Sequence, residues 1–118
     1  MNNDLNEYSF EEGLSDGLYI DLNDSSAYKM ISKAGMKLPT FITFGLFDSC
    51  INAESNLIIE ERLSALLTDM FVSIQNSNAS SLSFKSLIDD KSLKIDALLQ
   101  VSVKFGKILL LSLPNEIS

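Results

Sequence analysis

The spacing of apolar residues switches late in this chain, and the switch dictates the class of fold it can adopt. Between Asn56 and Ile74, the residues Ile59, Leu63, Leu66, Leu67, Met70, Phe71 and Ile74 recur at three- and four-residue intervals, while Glu60, Glu61, Ser64 and Asp69 stay polar. That spacing predicts a long amphipathic helix. After the polar run from Asn76 to Ser81 the period falls to two: Leu93, Ile95, Ala97, Leu99, Val101, Val103 and Phe105 alternate with Lys94, Asp96, Gln100, Ser102 and Lys104. Only Leu98 breaks the alternation, which predicts a long strand with one buried face. Phe105-Gly106-Lys107 then permits a reversal into an apolar strand, Ile108 to Leu113, stopped by Pro114. Leu82 to Ile88, ahead of a turn at Asp89-Asp90-Lys91, adds a third strand. The expected fold is α+β: an antiparallel C-terminal β-meander packed against a long amphipathic helix and shorter N-terminal helices, in one domain covering residues 1–118.

The N-terminal half reads as short elements set by punctuation. Ser9 and Glu12 have capping-box spacing, so a helix is expected from Phe10 to Ser15, with Gly17 just past its end. Leu18 to Leu22 reads as a strand with Leu18, Ile20 and Leu22 on one face. Asn23-Asp24-Ser25 leads into a helix running to about Ala34, with Ala27, Ile31 and Ala34 inward and Gly35 as its stop. Pro39 biases Leu38 towards an extended conformation, which Phe41-Ile42 continues. Thr43 then caps a short apolar helix, Phe44 to Ile51. In the expected core, Leu63, Leu66, Leu67 and Met70 pack on the face bearing Ile95, Leu99, Val101 and Val103.

Charge is distributed unevenly. The first 24 residues hold seven carboxylates (Asp4, Glu7, Glu11, Glu12, Asp16, Asp21 and Asp24) and no Lys or Arg, while the remainder has nine acids and nine bases. The net charge of -7 therefore belongs to the acidic end. An end of that sign attracts basic surfaces and rejects nucleic acid. The seven carboxylates are the candidate partner-binding residues. Lys29, Lys33 and Lys37, four residues apart, form a secondary basic stripe; two of them also complement the dipole at a helix C-terminus.

Missing residue types exclude more chemistry than the present ones suggest. There is no His, which removes Ser-His-Asp and Cys-His catalysis and His-based zinc sites. No Trp, one Arg (Arg62) and an acidic balance argue against a basic groove for direct nucleic-acid binding. Ser26-Ala27-Tyr28-Lys29 matches Ser-x-x-Lys without the companion motifs of penicillin-recognising enzymes. Asp21, Asn23 and Ser25 begin like a calcium loop, but Ser26 and Ser32 stand where Gly and Glu are needed, so capping explains them better. Asp16, Asp21 and Asp24 are a weaker candidate cation site. Cys50, beside Asp48, reads as a buried structural thiol. A lone cysteine, no signal-peptide pattern and no spanning apolar run point to a cytoplasmic protein without cofactor, metal or membrane contact.

Tyr8-Ser9, Asp16-Gly17-Leu18, Asp21-Leu22, Ala34-Gly35, Leu38-Pro39 and Thr43 carry a resemblance over nearly the whole chain. The sequence is similar to a family of small uncharacterised bacterial proteins found largely on plasmids and other mobile elements. The likeness ends in Leu113-Pro114-Asn115-Glu116. The chain departs from that pattern at Phe47, where Trp is usual, at Met36 in place of an aromatic residue, and in its shorter Phe105-Gly106-Lys107 turn. The resemblance implies no catalytic residue; it implies an accessory role on a mobile element or phage, including countering host defence. The resulting expectation is a non-enzymatic interaction protein with a basic protein partner, such as an inhibitor of a nucleic-acid-targeting defence complex of the anti-CRISPR or anti-restriction type. The alternative is a homo-oligomeric accessory protein, since Ile108 and Leu110 on one side of the last strand face away from Leu109, Leu111 and Leu113 on the other.

Overall fold

A computed structural model describes residues 10–77 and 81–114. The expected Ser9 cap, Asp4 and Glu7, the loop residues 78–80 and the final Asn115-Glu116 lie outside the described residues. The fold is α+β. Its elements are α1 (Phe10–Ser15), β1 (Tyr19–Asp21), α2 (Ser26–Lys33), β2 (Thr40–Thr43), α3 (Phe44–Leu46), a π-helical turn (Phe47–Ile51), α4 (Asn56–Gln75), β3 (Ser81–Ile88), β4 (Lys91–Ser102) and β5 (Gly106–Ser112).

Local chemistry sets most of these boundaries. Gly17, at φ +80°, ends α1. The amides of Gly17 and Leu18 donate back to the carbonyls of Leu14 and Gly13, closing a Schellman motif. The Ser25 hydroxyl accepts from the Tyr28 amide to cap α2, and Thr43 caps α3 through the Leu46 amide at 3.1 Å. Between Ile88 and Lys91, Asp89 and Asp90 both take positive φ, as a two-residue type I′ hairpin demands. The expected helix over Phe44 to Ile51 forms as one α turn followed by the π turn. Arg62 closes the far end of that turn, donating to the carbonyls of Ile51 and Asn52.

The sheet is larger than a C-terminal meander. Its strand order is β1-β2-β5-β4-β3, so the N-terminal strands join it beyond β5. β2 and β5 run parallel, with Phe41 beside Leu110 and Ile42 beside Leu111; the other pairings are antiparallel. A central position explains why β5 is apolar on both faces. On one face Leu109 and Leu111 join Ile42, Ile95, Leu63, Leu66, Leu67 and Met70 in the main core, beneath α2 and α4. On the other, Ile108 and Leu110 join Phe41 and Phe10 under α1. Both faces are therefore covered within one chain.

Two sequence expectations fail on β4. Ile95 and Ala97 are buried as predicted, but Leu99 is 37% exposed, Val101 75% and Val103 94%. Among the described residues, nothing buries the last third of the strand on that side. Ser102, expected outside, is buried at 2% because α1 covers the opposite face there. Leu98, the apparent misfit, faces that same side in register with Leu110. Leu18 and Ala34 also point to solvent rather than inward: Leu18 precedes the paired part of β1, and Ala34 is already the C-cap of α2.

Candidate acidic docking surface

α1 is held to the sheet from two sides. Its first residue, Phe10, meets the Phe41 ring edge-on at 4.7 Å and stacks on Tyr19 at 5.5 Å between centroids. Gly13 must be glycine for this contact, since a Cβ there would stand 2.3 Å from the Tyr19 ring. Glu11 supplies the second tie: Oε2 accepts from the Ser102 hydroxyl and from the Val103 amide at 3.0 Å. Ser102 in turn accepts from the amides of Lys104 and Phe105, both at 3.1 Å, so Glu11 completes the lining of the β4–β5 reversal. The Ser102 hydroxyl, and then the backbone amides around it, hold the Glu11 carboxyl below its ordinary 4.5. Glu11 was a candidate partner residue; in the fold it is a structural anchor.

The other described acids face outward. Glu12 and Asp16 are exposed on α1. Asp21 lies opposite Phe41 in the β1–β2 register, and so on the sheet face that α1 covers. Its carboxylate accepts from the Asn23 amide and side chain, each at 2.7 Å, in a turn that also lets Asn23 receive the Thr40 amide. Asp24 is exposed in the same turn. Glu12, Asp16 and Asp21 thus share the side of the sheet that α1 covers, with Asp24 at the rim. Among the described residues no group of three acidic or cysteine side chains is placed to hold a metal ion. Asp21, Asn23 and Ser25 serve the turn and the cap.

The basic stripe lies elsewhere. Lys29 and Lys33 are exposed on α2 beside a shallow cleft of about 300 Å³ that also touches Asn23, Tyr28 and Ser32; Lys37 follows the helix, exposed. Tyr28 donates its hydroxyl to the Leu38 carbonyl at 2.7 Å, and burial raises its pKa. Ser26, the serine of the Ser-x-x-Lys match, donates to Glu60 Oε1 at 2.7 Å and so ties α2 to α4. Cys50 is half-buried rather than buried, in a cleft of about 200 Å³ with Arg62, Asp89 and Lys91.

Sequence reasoning missed two residues with clear work. Glu11 acts on a partner 91 residues away, and Asp69 reaches the edge of β3, where Oδ2 accepts from the Ser86 hydroxyl at 2.7 Å and the Leu87 amide at 3.2 Å. Neither has a local sequence signal. No helix among the described residues is long and apolar enough to cross a membrane. The chain matches no protein-family model, no curated protein and no solved structure.

Proposed function

We propose that this chain is a non-enzymatic interaction protein that presents the acidic side of α1 and β1 to a basic protein surface. The observation that carries the reading is placement: Glu12, Asp16 and Asp21 are exposed on the same side of the sheet, with Asp24 at its rim, on a segment that contains no Lys or Arg. Such a field speeds encounter with a cationic partner and repels nucleic acid. The resemblance to plasmid-borne proteins makes a host complex that grips nucleic acid through a basic groove the candidate target, with the carboxylates occupying positions meant for phosphates.

Affinity capture from nuclease-treated bacterial lysate tests the reading. Wild type is compared with a variant carrying Glu12→Gln, Asp16→Asn, Asp21→Asn and Asp24→Asn. Glu11 is left intact, and asparagine at 21 keeps an acceptor for the Asn23 amide. The expected result is a stoichiometric protein partner with wild type that is depleted with the variant. Equal recovery by both proteins contradicts the proposal, as does recovery that disappears when nucleic acid is removed.

A further inference from the structure

β3 forms one edge of the sheet along its full length. The two-residue turn pairs Ile88 with Lys91, so Ile88, Ser86, Phe84 and Leu82 direct their backbone groups at β4. Those of Leu87, Lys85, Ser83 and Ser81 point outward. One outward amide is already satisfied: Leu87 N–H donates to Asp69 Oδ2 on α4. α4 therefore guards the end of the edge next to the turn, and among the described residues the stretch from Ser81 to Lys85 is left open. An open edge of this kind is a template for another strand.

We infer that this edge pairs with β3 of a second copy, antiparallel, about a twofold axis beside Phe84 that sets Ser83 opposite Lys85 of the second copy. Charge selects both the occupant and the register. On the face away from α4, Ser83 is registered with Asp96, and Lys85 with Lys94. The two lysines are directly opposite like charges, which is unfavourable, and neither has a carboxylate partner among the described residues. Asp96 accepts from the Ser83 hydroxyl through Oδ1 at 2.6 Å, leaving Oδ2 for another donor. With Lys85 of the second copy beside the short Ser83, its ammonium reaches over the serine to Asp96, across backbones roughly 10 Å apart at normal strand spacing. Symmetry forms the same pair twice. Setting Lys85 against Lys85 brings cations together, and setting Ser83 against Ser83 carries Lys85 away from Asp96.

α4 supplies an apolar flank for the same contact. Ile58, Ala65 and Val72 repeat every seven residues, one turn from Arg62 and Asp69, which reach Asp89 and the β3 edge. Ile58 is 40% and Val72 53% exposed. The twofold axis lays this stripe antiparallel to its copy beside the extended sheet. β1 is at the other end of the strand order, and α1 meets β4 at Ser102, beyond the stretch that pairs with β3, so the acidic side stays open in the pair.

Sedimentation of the full chain across the micromolar range tests this, using wild type, Lys85→Glu, the swap Lys85→Glu/Asp96→Lys, and Ser83→Pro. Wild type is expected to dimerise. Lys85→Glu should weaken the dimer about tenfold or more, the swap should restore it, and Ser83→Pro should abolish it by removing an outward amide. Circular dichroism checks each fold; Lys85→Glu sits on an exposed surface and decides the matter if the proline variant does not fold. A wild type that stays monomeric overturns the inference, as does a Lys85→Glu dimer of unchanged affinity.

Discussion

Glu11 separates the acids that build the fold from those that face outward. Its carboxylate binds the Ser102 hydroxyl and the Val103 amide, which fastens α1 onto the β4–β5 reversal. Because its folded pKa lies below the ordinary value of 4.5, it contributes stability that is fully present above that value and lost as pH falls through the lowered one. Unfolding measured from neutral to about pH 3 should find Glu11→Gln less stable than wild type at neutral pH, with the gap closing on acidification. A constant gap would show that its charge has no part in the tie. At this scale the sequence was legible wherever chemistry is local. Ser25, Thr43, Gly17 and Gly35 each act within a few residues of themselves, and each stands where capping and turn rules put it. The Glu11 contact depends on a tertiary approach that no spacing encodes.

Among the elements, α4 was readable to within a residue at its C-terminal end, since the three- and four-residue period runs through Leu63, Leu66, Leu67 and Met70, all of them buried. β4 was readable as a strand but not in its burial. Alternation says which side chains share a face; it does not say how far along the strand that face is covered. Ile95 and Ala97 share the core with the buried residues of α4, whereas Val101 and Val103 are exposed, and α1 meets Ser102 from the other side. Leu66→Ala or Leu67→Ala should therefore cost about 2–5 kcal/mol. Val101→Ser and Val103→Ser should each fall within about 0.5 kcal/mol of wild type in the monomer. Denaturant unfolding of the four variants checks this, and comparable losses at Leu66 and Val101 would return β4 to the simple one-face reading. The parallel β2–β5 pair was hidden for a related reason. Thr40 to Thr43 is too short to carry a period, and its partner lies across the whole of α4, β3 and β4.

Across the whole molecule, charge follows topology. The acidic strand β1 stands at one edge of the sheet, with α1 lying over one face as far as the end of β4, and the facing lysines Lys85 and Lys94 lie on the β3–β4 pair at the other edge. The two proposed contacts, with a basic partner and with a second copy, therefore involve different parts of the molecule and are testable apart. The sequence foretold which residues carry the acidic charge; the structure alone distinguishes the outward Glu12, Asp16, Asp21 and Asp24 from the anchoring Glu11.

The most direct test of that distinction is the association rate with the captured partner at low and physiological salt, where the screening length contracts to about 8 Å. Wild type should associate markedly more slowly as salt rises, and the variant neutralised at Glu12, Asp16, Asp21 and Asp24 should associate slowly at both, with dissociation changed much less. A variant that matches the wild-type rate and salt dependence would place the interface away from α1 and β1 and contradict the account.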